Sequence, residues 1–415
     1  TAYLRQRWPY VERVMKSAAA DLNLSDEQAK IFIERSEEYY KSVFPEMTED
    51  SLAGGLSNTI AGRVCNTMDL HGGGYTVDGA CSSSLIAIST AAEKLSSGTL
   101  DLAIAGGVDV SLDTFEMVGF ARTGALTPDK MRVYDKRGNG FMPGEGCGLI
   151  VMKRLEDAKR DGDKIYATIK GWGMSSDGKG GMTAPSGKYQ ALALQRAYDM
   201  AGYSAKDLDF IEGHGTGTTV GDREEIKGIA INIGTEPKND LRSCGLTSFK
   251  SISGHTKAAS GIAGLIKATL ALNQRIIPPT AGCEQPNLSF NEPEGKGLYP
   301  ILLGEKCDPS RKLRAGVSAM GFGGINTHIT LESADAPFEE LKSELPTDAL
   351  LVTTQKSEVY PLAADSVDTL ITLVQNCLLD VSGRYGDPFP GPACLPSRGV
   401  KQWNQGLVDF VLPYF

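Results

Sequence analysis

Apolar positions along this chain recur in two rhythms, and each change of rhythm marks an element. "SDEQAKIFIERSEEYYKSVF" sets Ser25 three residues before Gln28, then repeats apolar and aromatic residues at helical spacing. A capped helix is predicted there. "SLAGGLSNTIAGRVCNTMDL" is rich in small residues and reads as helix, then loop. "YTV", at Tyr75 to Val77, predicts a short strand, and "SSSLIAISTAAEKLSSG" a helix ending at Gly98. The apolar runs "DLAIAGGVDVSL" and "CGLIVMKRL" predict strands, the first of them buried. The short helix "LEDAKRDGD", the strand "KIYATIKGWGMSS" and the amphipathic helix "QALALQRAYDMAG" come next. "LDFIEGHG" reads as strand into loop, "GDREEIKGIAINIG" as helix and "LRSCGLTSFKS" as strand into loop. "TKAASGIAGLIKATLALNQR" is a long small-residue helix, and "LRAGVSAMGFGG" and "NTHITLES" close the pattern as strands.

Strands alternating with helices predict an α/β fold with a mixed or parallel sheet. After about residue 334 the polar, proline-containing "DAPFEELKSELPTDA" reads as a boundary. The segment 334–415 carries a modest strand, "LLVTTQ", a helix, "DSVDTLITLVQNCLLDVSG", and a Pro/Gly-rich tail.

Charge and composition narrow the function. A formal net charge of -9 argues against nucleic-acid binding, which needs a basic face. No apolar run approaches the ~20 residues of a membrane span. The opening "TAYLRQRWPY" lacks the apolar core of a secretory signal, so a cytoplasmic enzyme without membrane association is expected. None of the eight cysteines stands in a CxxC pair or at zinc-ligand spacing, so no metal is expected. Glycine is abundant, 48 of 415 residues, against a usual ~7%. It gathers in knots such as "LHGGGYTVDGAC", "GHGTGTTVGD", "GHTKAASGIAG" and "AMGFGGIN". Such knots let backbone approach backbone or ligand closely, so several tight loops should meet around one site.

Three of those knots hold reactive side chains. Cys81 lies at a strand-to-helix turn, among Gly79, Ala80 and Ser82 to Ser84. A helix start carries a partial positive charge that favours thiolate, and small neighbours leave room for a carbonyl. The alternative is a small apolar residue packing the helix start. His214, in "EGHGTGT", and His255, in "GHTKAAS", sit at strand or helix ends. Either could instead be a hydrogen-bonded structural histidine, a role that suits His328 in its strand and leaves His71 without a functional place. Lys250, in "SFKSISGH", is followed by small residues and a loop histidine, which suits a buried charge as well as a solvated one.

Taken in order, these stretches resemble the β-ketoacyl synthase family of the thiolase fold. "VDGACSSSL" resembles its nucleophile motif, "EGHGTGT" its first histidine motif, and "KSISGH" its lysine and second histidine motif. "RVYDKRGNGFMPGEGCGLIVMKRLEDA" and "GVSAMGFGGINTHITLE" also match, so the likeness runs from roughly residue 51 to 333. "DGAC", with "GLSNTIAGRVCN" and "GGGYTV", is most similar to iterative type I polyketide synthases of the enediyne class. The resemblance implies two related αβαβα halves over 1–333, without the family's usual first strand. It makes 334–415 a small α/β linker toward an acyltransferase domain. It implies a decarboxylative Claisen condensation between an acyl group on Cys81 and malonyl on the phosphopantetheine of an acyl carrier protein. His214 and His255 would serve decarboxylation, and Lys250 would tune them. Backbone N–H groups of Cys81 and Phe322 would form an oxyanion hole. Thr216, Thr218, Phe322 and Gly323 would contact substrate, with Phe322 as a gate. No metal or redox cofactor is implied. A homodimer is implied, joined at "DLAIAGGVDV". Where the family has asparagine two residues after the lysine, this chain has Ile252, and Ser253 replaces an aliphatic residue. Two rivals stand beside this reading: a non-condensing relative that binds acyl chains or carrier proteins, and a thiolase-like enzyme using free coenzyme A. The first should lack the Cys or a His; the second should carry a cysteine near the C-terminal glycine turn.

Overall fold

The structure is a computed structural model that describes residues 2–179, 184–234, 244–308 and 310–335, and positions 366, 369, 371 and 372. Thr1–Leu341 form one compact unit and Lys342–Phe415 a second. The strand and most of the helix expected after residue 334 lie outside the described residues. The chain opens with helices α1 (Ala2–Arg5), α2 (Trp8–Asp21), α3 (Asp26–Ser42), α4 (Glu49–Gly54) and α5 (Thr59–Met68). Ser25 caps α3 as predicted: its hydroxyl accepts the Gln28 N–H, and Gln28 Oε1 accepts the Ser25 N–H at 3.1 Å. α2 and α3 fold against each other where Trp8 meets the ring of Tyr40, 5.6 Å away.

The first half of the fold then runs through α6 (Ser83–Ser96), β1 (Leu102–Asp109), α7 (Thr114–Thr123), β2 (Gly146–Lys153) and α8 (Leu155–Asp161). β1 and β2 pair antiparallel from Leu102 opposite Lys153 to Asp109 opposite Gly146. Tyr75–Val77 is not the strand predicted for it. Among the described residues no strand lies alongside it to complete a ladder, and an extended run without a partner is not a strand. The first sheet is thus a two-stranded ribbon among the described residues.

The second half is fuller. It comprises β3 (Ala167–Ser176), α9 (Gly187–Ala201), β4 (Phe210–Glu212), α10 (Thr219–Ile233), β5 (Cys244–Thr247), α11 (Lys250–Ser253) and α12 (Ser260–Gln274). β6 (Ile276–Ile277), β7 (Leu298–Pro300), β8 (Glu305–Lys306), β9 (Arg314–Gly321) and β10 (Ile325–Ser333) complete it. Among the described residues six strands form one mixed sheet in the order β3-β10-β9-β4-β5-β7, antiparallel from β3 to β9 and parallel from β9 to β7. β6 and β8 form a separate pair.

Apolar burial stacks these parts. Leu194, Ile226 and Ile229 of α9 and α10 pack with Ile211 and Leu246 on one face of the sheet. On the other face Leu85 and Ile88 of α6 and Ile262 and Leu265 of α12 pack against Val317 and Ile329, and beyond them Ala103 and Ala105 of β1. Each such Leu or Ile contributes about 1.5–3 kcal/mol when buried. The small residues of α12 let α6 in: a Cβ at Gly261 would stand 2.6 Å from Leu85. The starts of α6 and α12 therefore meet at the centre, between ribbon and sheet.

Candidate active site

Cys81 stands on a one-turn helix, Ala80–Ser82, that leads into α6. Local hydrogen bonds shape the bend. Asp78 Oδ1 accepts the Ala80 N–H at 2.8 Å, and Ser83 Oγ accepts the Gly79 N–H at 3.0 Å. Ala80 is held at φ 51°, where residues other than glycine are uncommon. The second half then pins the bend from outside. Ser82 Oγ donates to the Ala319 carbonyl at 2.8 Å, at the end of β9. A Cβ at Gly321 would fall 2.1 Å from the Gly79 carbonyl oxygen, so this passage admits only backbone. The "GFGG" turn follows, and the N–H groups of Phe322 and of Cys81 itself face the Cys81 sulfur.

The thiol is not the ready thiolate that the helix start suggests. Burial pushes it up to about 11, against Lys250 and the two backbone N–H groups, and Asp109 adds to the rise. Removing a charge from water outweighs the partial charge of one helix end.

His255 is buried and His214 half-buried, and both are neutral and oriented through Nδ1. The Met320 N–H donates to His214 Nδ1 at 3.2 Å, and the Lys250 ammonium donates to the His214 carbonyl at 2.6 Å. The Lys257 N–H donates to His255 Nδ1 at 3.1 Å, with Ser260 Oγ 2.8 Å from the same nitrogen. A ring whose Nδ1 accepts carries its proton on Nε2. Burial, then the Lys250 charge, holds both imidazoles well below the ordinary histidine value. The two rings stand edge to face with centroids 5.5 Å apart. Two neutral N–H donors thus sit side by side, an arrangement suited to a developing negative oxygen.

Lys250 is only 4% exposed. Burial lowers its ordinary value, against the attraction of Glu225, Cys81 and Glu212. Ile252 is 66% exposed and contributes nothing to the centre, while Ser253 Oγ donates to the Gly254 carbonyl at 3.0 Å.

Residues that the motifs do not contain hold the first histidine loop. Asp222 and Glu225 of α10 lie one turn apart, on the same side of the helix. Glu225 accepts the N–H groups of His214 and Gly215 at 2.5 and 2.8 Å and the Tyr134 hydroxyl at 2.9 Å. Asp222 accepts the N–H groups of Thr216, Gly217 and Tyr134 at 3.0, 2.9 and 2.7 Å. The sequence signal was present in "GDREEIKG": two acids three apart in a helix that follows a glycine loop, where a solvated face is the ordinary reading.

Cys81, His214 and His255 line one cavity of about 390 Å³, with Thr216, Thr218 and Phe322 in the same wall. Thr218 accepts the Gly221 N–H at 3.2 Å, capping α10, and lies 2.9 Å from the Thr216 hydroxyl. Gly323, at φ 94°, forms the turn but is not part of the wall. His328 is structural: Tyr198 Oη and Ser318 Oγ stand 2.6 and 2.8 Å from its two nitrogens. His71 is exposed beside Asp69. Among the described residues no group of three or more His, Cys, Asp or Glu side chains could hold a metal ion, and no helix is long and apolar enough to cross a membrane.

Comparison with known proteins agrees with this arrangement. Residues 17–158 match the N-terminal domain of beta-ketoacyl synthases and residues 166–284 the C-terminal domain. A polyunsaturated fatty acid synthase polypeptide of Thraustochytrium sp. is 36% identical over 80% of this chain and 12% of its own. A phenolphthiocerol/phthiocerol polyketide synthase polypeptide of Mycobacterium tuberculosis is 40% identical over 68% of this chain and 15% of its own. The chain therefore spans a small part of these relatives. The ketosynthase from module 6 of the bacillaene synthase of Bacillus subtilis superposes with a TM-score of 0.65 at 30% identity, over 82% of this chain and 59% of its own. With both halves matched and the histidines, cysteine and glycine turn gathered at one cavity, the chain belongs to the β-ketoacyl synthase family, the thiolase-fold condensing acyltransferases found as ketosynthase domains of polyketide synthases.

Proposed function

We propose that this ketosynthase joins an acyl group held on Cys81 to malonyl carried by an acyl carrier protein. The observation that carries the reading is the pair of neutral Nε2–H donors, His214 and His255, on the wall that also holds Cys81. The acyl thioester first exchanges onto Cys81: the new C–S bond forms as the carrier thiol leaves with the cysteine proton. Malonyl-carrier then enters, its pantetheine arm along Thr216 and Thr218. Its C–C bond to the carboxylate breaks, carbon dioxide departs, and the electron pair forms an enolate whose oxygen takes the two Nε2–H groups. The enolate carbon attacks the Cys81 thioester, whose oxyanion meets the N–H groups of Cys81 and Phe322. The C–S bond then breaks and the thiolate recovers a proton. Lys250 keeps the histidines neutral by its charge, and Phe322 screens the cavity mouth. This division assigns about 10²–10³ in rate to each preorganised donor.

The finer reading, an iterative synthase of the enediyne class, is supported by "DGAC", "GLSNTIAGRVCN" and "GGGYTV". A cytoplasmic homodimer paired through the free edge of β1, beside an acyltransferase domain, belongs to the same reading. The test is mass analysis of the intact chain after incubation with an acyl-carrier donor, alongside carbon dioxide release from malonyl-carrier. An acyl adduct on the Cys81 peptide and carbon dioxide release support the proposal. Neither, in a folded protein, overturns it.

A further inference from the structure

One buried cation near the site has no part in the reaction above. Lys257 follows His255 by two residues and is only 4% exposed. Its ammonium lies 2.9 Å from Asp109 Oδ1 and 2.6 Å from Glu116 Oε2, and it donates to Ser111 Oγ at 3.3 Å. Asp109 ends β1, and Glu116 lies in the first turn of α7. A side chain from the second half thus reaches into the first half and binds the segment that leads from ribbon to helix.

That segment is a wall of the cavity. α7 has no buried residue of its own. It presents Phe120 and Thr123 to the cavity, where Phe120 meets Phe141 and Phe322 edge to face, at 5.1 and 6.3 Å. Phe141 in turn meets the His255 ring at 5.1 Å. With so little apolar anchorage, the Glu116–Lys257 pair holds the near end of α7 and the aromatic contacts hold the far end. At its other end Lys257 sits at φ 47°, a region that side chains other than glycine's rarely occupy. That backbone turn aims its N–H at His255 Nδ1.

We propose that Lys257 is a positioning residue whose buried ion cluster fixes two things at once: the α7 wall that carries Phe120, and the backbone turn that keeps the proton of His255 on Nε2. Without the cluster the Lys257 backbone relaxes toward negative φ and its N–H leaves Nδ1; only the Ser260 hydroxyl then stays at Nδ1, and because it can accept as well as donate, the ring loses its single tautomer. The inference rests on the condensing reading for its kinetic effect but not for its effect on the ring.

The experiment uses the whole chain labelled with ¹⁵N-histidine, whose four histidines keep the spectrum assignable. In the unaltered protein His255 should show one tautomer, protonated at Nε2. In Lys257→Met it should show a mixture. Decarboxylation of malonyl-carrier should fall about 10–100-fold in kcat, the scale of a misplaced reacting group, while acylation of Cys81 stays within about twofold. Lys257→Arg keeps the cation and should restore most of the loss. Glu116→Gln leaves Asp109 as partner and should give the same changes in smaller measure, which serves if the Met variant does not fold. A His255 ring unchanged in folded Met and Gln variants overturns the proposal. So does an equal fall of both activities that Arg fails to restore. An unaltered protein that releases no carbon dioxide would overturn the condensing reading instead, and the ring spectrum would still decide the role of Lys257.

Discussion

The two halves of the fold hold their chemistry in different ways. In the second half the histidine loops hang from buried carboxylates and backbone donors: Glu225 and Asp222 each accept at least two loop N–H groups, and the loops follow β4 and β5, interior strands of a sheet that has six strands among the described residues. In the first half the sheet is, among the described residues, a ribbon of two strands, with Leu149 and Val151 51% and 69% exposed on its outer face. Cys81 is not held by that ribbon. It is held by Ser82 on Ala319 and by Gly79 against Gly321, both contacts made with the second half. Cys81 therefore takes its position from the better-packed half, and the geometry between cysteine and histidines is set at the ends of the interior strands β9, β4 and β5.

Substitutions test whether the halves divide the work in this way. The largest effect is expected from Cys81→Ala, which should abolish the acyl adduct while carbon dioxide is still released from malonyl-carrier, since both histidines and their donors remain. Loss of both activities in the folded variant would mean that the thiol also serves decarboxylation. Glu225→Ala strands the N–H groups of His214 and Gly215. Decarboxylation should fall about 10²-fold, with a stability loss of about 1–3 kcal/mol for each orphaned group, read by urea unfolding. Gly321→Ala forces the glycine turn away from Gly79, so the turn carrying the Phe322 N–H must shift. Acylation should slow by about tenfold and stability fall by about 1–3 kcal/mol. Acylation unchanged there would show that the first half can place Cys81 alone.

Two further substitutions leave the activities in place and bear only on the packing of the two sheets. Ile329→Ala opens a hole in the packed sheet and should cost about 2–5 kcal/mol. Val151→Ala, on the exposed face of the ribbon, should cost less than about 0.5 kcal/mol. Equal costs would show that the outer face is covered. The pH dependence belongs to the second half too. Burial holds His328 at about 3, below its unfolded value of 6.5. The unfolded chain then binds a proton that the folded one refuses, so stability is full above pH 6.5 and is lost as pH falls toward 3. The slope is about 1.4 kcal/mol per pH unit for this histidine. His214 and His255, also held low by burial, act in the same direction. A melting temperature flat between pH 7 and 4 would contradict their buried neutrality.

Much of this was readable from residue pattern. The capped helix at Ser25, the long helix after His255 and the paired strands around "GFGG" follow from local spacing, because caps, periodicity and glycine turns are local physics. The strand expected at "YTV" is absent for the opposite reason, since a strand exists only through its neighbour.

Residue order alone settled which side chains could react and which loops could bring them close: a thiol, two histidines and a lysine, each in a run of small residues. Their states were set by tertiary packing. Burial raised the Cys81 thiol where the helix start alone argued for thiolate, because the cost of desolvating a charge depends on everything packed around it. The tautomers of His214 and His255 came from N–H groups of Met320 and Lys257. The roles of Asp222, Glu225 and Lys257 came from partners far along the chain, in contacts that no local spacing encodes.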